Sequence, residues 1–312
     1  MGRNSFWTGV SMAAWLVAAA PSTLAADATG LPPPTAGWQL EFGSRVFFSG
    51  GRLQKDLYDP DIRRQMNSRL TYGGTAAGTG ELFGRIDAPS GWFVKGYAGI
   101  GTHSGGLLTD EDFPPDTVPY SKTHSSLRSG RIDYGSFDLG LSVWRSPTAR
   151  LGAFVGIHHF KEKYHGFGCL QVSGGDFCDV TIPSSVLTLS ETSRWTSLRI
   201  GVVGDMALTD RLKLTAEAAV LPYSRLSAFD NHWMRPDINP MAENGQGYGF
   251  QLEASLSYRL TEHFSLGAGG RYWYHATTGA KTRFPGEANA SHLDFRSERW
   301  GAFLQASYRV GF

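Results

Sequence analysis

The chain ends on LQASYRVGF, residues 304–312, in which apolar and polar positions alternate up to the last residue. The apolar set is Leu304, Ala306, Tyr308, Val310 and Phe312, and the other set is Gln305, Ser307, Arg309 and Gly311. Because successive side chains of a β-strand point to opposite faces, this period of two predicts a strand with one apolar and one polar face.

The same period recurs upstream, at 212–220, 248–259 and 264–275. Glu253 and Arg259 fall on the polar face, where charges are acceptable if that face lines a polar lumen rather than lipid. A terminal Phe that closes such a strand resembles the assembly signal of bacterial outer-membrane barrels. The sequence therefore predicts an all-β, antiparallel transmembrane β-barrel.

The pattern predicts ten strands joined by connections that alternate between short turns and long loops. The strands are predicted at 37–49, 65–86, 91–107, 126–144, 150–166, 191–208, 211–226, 247–260, 264–278 and 293–312, and the long loops at 50–64, 108–125, 167–190, 227–246 and 279–292. Outer-membrane barrels have short periplasmic turns and long outer loops, and an even strand count brings both termini to the periplasmic side. Several strands exceed the roughly ten residues that cross a bilayer, so the barrel is expected to project beyond the outer membrane.

Residues 1–25 have the features of an export signal: Arg3, a short apolar run at 12–20 and the small residues of Thr23-Leu24-Ala25. The apolar run is too short for a membrane-spanning helix, which needs roughly 20 residues. Residues 26–312 are predicted to form a single outer-membrane barrel domain.

Charge and cysteine content narrow the function further. Setting Arg3 aside leaves 28 of the 29 Lys and Arg residues against 28 Asp and Glu, so nucleic-acid binding has no electrostatic support. Cys169 and Cys178 lie in a Gly-rich stretch of an exported chain, which favours a loop disulfide. The alternative, a metal site, would need more ligands than two thiols.

Two acidic motifs stand out in the predicted outer loops. Asp110-Glu111-Asp112 falls between strands 3 and 4, and Asp230-Asn231-His232 falls between strands 7 and 8. Four of ten strands separate them, so they are expected on opposite walls of the barrel mouth. Each motif has two polar side chains at i and i+2, a spacing that puts both on one face of an extended strand end.

These residue types suit the activation of a water molecule. A carboxylate paired with an imidazole makes a general base, because the acid fixes the ring and stabilises its protonated form. Two adjacent carboxylates share protons and can orient a water or protonate a leaving group. A water between the two pairs could attack a peptide carbonyl without a Ser or Cys nucleophile.

At these residues the chain resembles the omptin family of outer-membrane proteases, over essentially the whole mature sequence. SGGLLTDEDF is similar to the family's Gly-Gly-x-x-x-Asp-x-Asp-aromatic segment, and FDNHW is similar to its Asp-x-His segment. The resemblance implies a ten-stranded barrel and an aspartic-type endopeptidase. It assigns Asp110 and Asp112 to one catalytic pair and Asp230 and His232 to the other, with no metal and no cofactor.

The resemblance also carries expectations about partners. Omptins depend on lipopolysaccharide, and Lys161 and Lys163 have outward parity near the rim, where they could meet its phosphates. Peptide or protein substrates at the cell surface are the other expected partners. Omptins that cleave between basic residues have an acid two positions before the Asp of Asp-x-His, where this chain has Ala228. A second acid of those omptins falls in the first outer loop, where its match in this chain is Gln54, Lys55 or Asp56. A pocket that lacks both acids is not expected to prefer basic residues.

Other interpretations remain open. The acidic motifs could be solvated loop tips or a calcium-stabilised loop, although the Asp-x-Asp-x-Asp-Gly pattern of an EF-hand is absent. The chain could be a non-enzymatic adhesin or structural barrel, which would cleave no peptide. It could also be a lipid-modifying hydrolase, which would need its active groups facing the lipid.

Overall fold

The computed structural model describes residues 37–62, 65–113, 118–175, 178, 180–287 and 289–312. Within these ranges the strands are β1 Gln39–Tyr58, β2 Met66–Asp87, β3 Trp92–Ser104, β4 Leu107–Asp112, β5 Ser121–Leu127, β6 Gly130–Arg145, β7 Ala149–Gly174, β8 Ile182–Ala207, β9 Leu212–His232, β10 Met241–Arg259, β11 Phe264–Arg283 and β12 Ser291–Gly311. Among the described residues, no helix has the length and apolarity that a membrane span requires. The predicted signal peptide, 1–25, lies outside the described residues.

The strands form one closed antiparallel sheet. β1 pairs with both β2 and β12, which closes the ring. β3 and β4 pair one after the other with β2, and β6 and β5 pair one after the other with β7. Each of these couples is therefore one barrel strand with a break, and the sheet is a ring of ten strands. The predicted ten-stranded antiparallel barrel is confirmed.

The two ends of the barrel differ. The short turns at 88–91, 146–148, 208–211 and 260–263 lie at one end together with the C-terminus, where the Trp38 amide donates to the Phe312 carbonyl. We call this the turn end. The opposite end, the loop end, has the connections that follow β1, β4, β7, β9 and β11.

At the loop end the strands are longer than the sequence predicted. β7 continues to Gly174, β8 begins at Ile182 and β9 continues to His232, so most of the predicted loops 167–190 and 227–246 are strand. The sequence pattern misses these extensions because the apolar–polar contrast fades where neither face is uniformly apolar. In consequence both acidic motifs lie at strand ends and not in loops, which corrects the prediction.

A double-glycine break separates β3 from β4. Gly105 and Gly106 have φ values of 71° and 95°, a backbone conformation that side chains with a Cβ rarely adopt. A Cβ at Gly106 would also lie 2.4 Å from the carbonyl oxygen of Gly73. The break redirects the chain so that β4 follows β2 beyond the point where β3 ends, which is how the Asp110 segment reaches the mouth.

We therefore expect Gly106→Ala to lower the free energy of unfolding by at least about 1–2 kcal/mol, the cost of left-handed backbone for a residue with a Cβ. Urea-dependent refolding into detergent micelles would measure it. Gly279→Ala is the matched control, because a Cβ there meets nothing within 4 Å. Equal stability of the two variants would contradict this account of the break.

Exposed apolar side chains surround the barrel between two aromatic girdles. Leu82, Ile100, Leu139, Val155, Ile200, Leu252 and Leu304 are among the exposed apolar residues of the band. Trp92, Trp144, Tyr258 and Tyr308 are exposed near its turn-end edge, and Tyr223, Tyr248 and Trp300 near its loop-end edge. A band of this kind is characteristic of barrels that span a bilayer.

The lumen is filled by side chains, and its charges are paired. Arg271 contacts Glu81 at 2.6 Å, and Lys95 contacts Asp138 at 2.9 Å. Such pairing satisfies the inward charges that the sequence pattern indicated. On the loop-end side, Cys169 of β7 and Cys178 form a disulfide, which confirms that expectation.

Candidate functional site

The four predicted site residues lie at the loop end, beyond the apolar band. Asp230 is seven residues past Tyr223 on β9, roughly 20 Å along the strand. Asp230 shares the inward direction of the buried residues Leu226 and Ala228. Asp110 and Asp112 share the inward direction of the buried Leu108. All four side chains therefore face the inside of the mouth, from β4 and β9.

On the β4 wall, Ser68 orients the carboxylates. Its hydroxyl donates to Asp110 Oδ1 over 3.2 Å from the adjacent strand β2. Burial raises the pKa of Asp110. Burial and the neighbouring Asp110 charge raise the pKa of Asp112 to about 7. Near neutral pH this pair therefore holds a proton that an ordinary pair of carboxylates would have lost.

On the β9 wall, Asp230 and His232 form the expected pair. His232 Nε2 lies 3.3 Å from Asp230 Oδ2. Burial opposes the charged form of the imidazole, but the Asp230 carboxylate outweighs it and raises the pKa of His232. The strand end is held by the Trp233 indole, which donates to Ser190 Oγ over 3.1 Å. The ring is thus partly buried, oriented and suited to accept a proton.

The two walls interact electrostatically across the mouth. The positive form of His232 lowers the pKa of both Asp110 and Asp112, in opposition to the effect of burial. The Asp230 carboxylate raises the pKa of Asp110. The structure therefore brings the two sequence motifs, about 120 residues apart in the chain, into one site.

A buried ion cluster beside Asp230 was missed by the sequence analysis. Lys55 Nζ lies 2.6 Å from Glu191 Oε2, 2.7 Å from Asp230 Oδ2 and 2.8 Å from Glu243 Oε1. None of the four side chains is more than 2% exposed. Glu243 on β10 pairs directly with Ala228 on β9. Ala228 stands where some omptins have an acid, and in this chain the acid lies on the neighbouring strand.

The predicted lipopolysaccharide contacts lie on the outer surface of β7. Lys161 faces outward, with 32% of its side chain exposed, 3.7 Å from Asp133. Lys163 is partly exposed and pairs across the sheet with Arg131, and Lys161 pairs with Arg194 on the other side. Arg131 and Arg194 are exposed and extend the basic surface beyond the two predicted residues.

Comparisons with known proteins reveal the fold but no family. No family model matches the sequence, and no curated protein matches it. Among solved structures, the chain is similar to the outer membrane protease OmpT from Escherichia coli, with a TM-score of 0.71 and 13% identity over 88% of this chain and 97% of that one. The outer membrane protein OprG from Pseudomonas aeruginosa matches with a TM-score of 0.41 and 12% identity over 91% of this chain and 99% of that one. At such identities the likeness concerns architecture, and it shows that this chain has the fold of an outer-membrane β-barrel.

Proposed function

We propose that the protein is an outer-membrane endopeptidase of omptin type that hydrolyses peptide bonds in the extracellular mouth of its barrel. The observation that carries the proposal is the inward-facing group of Asp110, Asp112, Asp230 and His232. It supplies a general base on one wall and a proton-holding acid pair on the other. The proposed chemistry uses water as its nucleophile and needs none from the protein.

In the proposed reaction, His232 accepts a proton from a water while the water oxygen bonds to the scissile carbonyl carbon. Asp230 stabilises the imidazolium that forms. The Asp110–Asp112 pair orients the water from the other wall and donates its proton to the leaving amine as the C–N bond breaks. The products are a carboxylic acid and an amine, so no cofactor enters the balance.

The substrate class follows from where the site lies. The groups sit in a mouth between strand ends, at the end of the barrel opposite the short turns. Such a mouth admits an extended segment more readily than a folded domain. We therefore propose flexible surface-accessible peptides or protein segments as substrates.

The direction in which the site side chains face also bears on the alternative functions. A lipid-modifying hydrolase needs outward-facing groups, whereas Asp230 is 1% exposed and points inward. A non-enzymatic adhesin or structural barrel remains the second candidate. Cleavage of a peptide by the parent protein would exclude it. Neither alternative explains why the Asp110–Asp112 pair and the Asp230–His232 pair, both with shifted pKa values, face one another.

The test uses purified protein, refolded with rough lipopolysaccharide and given a diverse peptide pool, with the cuts read by mass spectrometry. Asp110→Ala is run in parallel. We expect cleavage by the parent and little by the variant. No cleavage by a folded parent with lipopolysaccharide bound would favour the non-enzymatic barrel.

Lipopolysaccharide is proposed as the activator, bound in part through Lys161 and Lys163. Each lysine near an anionic lipid surface contributes about 1 kcal/mol. We expect Lys161→Gln with Lys163→Gln to raise the lipopolysaccharide concentration for half-maximal activity about 30-fold. A titration of activity against lipopolysaccharide measures this shift.

The matched control for that titration is Lys281→Gln with Arg283→Gln. These two exposed cations lie on β11, four barrel strands away from β7 in the ring. The control removes the same charge from another face. Equal shifts in the two double variants would mean that net charge, and not the β7 surface, governs activation.

A further inference from the structure

Lys55 crosses the lumen to reach the proposed catalytic wall. It belongs to β1, whereas its three carboxylate partners belong to β8, β9 and β10. In the ring these strands do not neighbour β1. The contact is therefore a bridge across the barrel, directly beside Asp230, and it is made by a side chain that is 2% exposed.

The bridge and the imidazole share one oxygen atom. Asp230 Oδ2 is 2.7 Å from Lys55 Nζ and 3.3 Å from His232 Nε2. Asp230 Oδ1 is buried and has no hydrogen-bond partner among the described residues. The side-chain contacts that fix the Asp230 carboxylate therefore converge on the atom that orients the imidazole.

The charges of the cluster shift the pKa values of its three acids in different directions. Burial opposes ionisation of all three carboxyl groups, and repulsion within the cluster raises the pKa of Glu191 and Glu243. For Asp230 the attraction of Lys55 and His232 outweighs burial and holds the pKa well below its usual range. The titratable groups facing Asp230 are Lys55 from β1, Tyr72 from β2, Asp110 from β4, Glu191 from β8, His232 from β9 and Glu243 from β10.

We propose that Lys55 is a positioning residue for the Asp230–His232 pair: its buried ammonium fixes Asp230 Oδ2 and balances the charge of that carboxylate. Lys55 touches no reacting atom in this scheme, and the inference rests on the proposed function for its catalytic meaning. It adds a barrel-spanning residue, absent from both sequence motifs, to the machinery of the site.

The test compares two charge-adjusted variants, because removing Lys55 alone leaves buried carboxylates without a counter-ion and could prevent folding. Glu191→Gln with Glu243→Gln is the reference, and it keeps the Lys55–Asp230 contact. The triple variant adds Lys55→Ala. We expect kcat/KM of the triple variant to fall at least about tenfold below the reference at neutral pH, with its acid limb displaced to higher pH. Equal activity and an equal pH profile in the two variants would overturn the proposal.

Chemical rescue supplies a second measurement. Lys55→Ala removes the atoms from Cγ to Nζ, which correspond to propylammonium. We expect added propylammonium to restore activity saturably in the triple variant, while propanol, which has the same shape without the charge, does not. Equal rescue by propanol would assign Lys55 a space-filling role and overturn the proposal.

A readout independent of hydrolysis separates this inference from the proposed function. The His232 ring is titrated by NMR in protein with ¹³C-labelled histidine, with His232→Ala used for assignment. Removal of the ammonium that opposes the imidazolium raises the His232 pKa, so we expect an upward displacement in the triple variant relative to its reference. If the titration is displaced in the triple variant but the parent protein cleaves nothing, the proposed function alone is wrong. If the parent is active but the titration is the same in the triple variant and its reference, the role of Lys55 alone is wrong.

Discussion

Replacement of His232 by Ala is expected to lower kcat/KM for any cleaved peptide by about 100- to 10,000-fold, the contribution of a positioned general base. The physical reason is that no other described side chain contacts Asp230 Oδ2 with a group that can take a proton from water at neutral pH. Lys55, the other partner of that oxygen, stays protonated because its three carboxylates outweigh burial and raise its pKa. Initial rates on a peptide identified from the pool would measure the loss.

The barrel offers a matched control for that substitution. His292 and Asp294 form a second pair at i and i+2 on β12, with Nε2 and Oδ1 3.2 Å apart. That pair is largely open to solvent, since 49% of the His292 side chain is exposed, against 18% for His232. We expect His292→Ala to keep the parental rate. Equal losses in both variants, or full activity of a folded His232→Ala barrel, would end the proposed mechanism.

The ring of strands was predictable because each barrel strand has lipid on one side and a packed lumen on the other. That contrast requires apolar and polar residues to alternate with a period of two, as in 248–259, and the tight turns mark the strand ends. Above the apolar band the outer face no longer needs apolar residues. The extensions of β1, β7 and β9 therefore lose the alternation, and they were predicted as loops although they pair as strands.

The candidate site was predictable in part for a similar reason. Asp110 and Asp112 lie on the same face of one strand, as do Asp230 and His232, so local spacing and family resemblance identify both pairs. Lys55 and Glu191 are 136 residues apart, and their contact depends on which strands face each other across the closed barrel. The feature that could have indicated this contact is an inward-facing lysine above the apolar band. Such a lysine must pair with carboxylates, because a buried unpaired charge is too costly.

The pH dependence of kcat/KM is expected to be a narrow bell with its maximum near neutrality. On the acid side, His232 must lose its proton before it can accept one from water. Its pKa is raised, so activity increases as pH rises through that raised value. On the alkaline side, the Asp110–Asp112 pair must keep a proton for the leaving amine. Asp112 has a pKa of about 7, so activity decreases as pH rises above it. Because the raised pKa of His232 moves the acid limb toward the alkaline limb, it reduces the fraction of the enzyme in the working protonation state at the maximum.

Rates over a range of about pH 5 to 9, at constant ionic strength, would measure this profile. Asp112→Asn is expected to lower the maximum about 100-fold, because an amide cannot donate the proton that the pair holds. Glu111→Gln is the control from the same strand: Glu111 lies between the two acids but contacts Lys122 at 3.1 Å and belongs to the other face. Its profile should match the parent in shape and height. A parental rate that keeps rising through pH 9 would mean that the acid pair donates no proton. The leaving amine would then have to take its proton from the imidazolium of His232. Orientation of the water would be the only remaining role of the β4 wall.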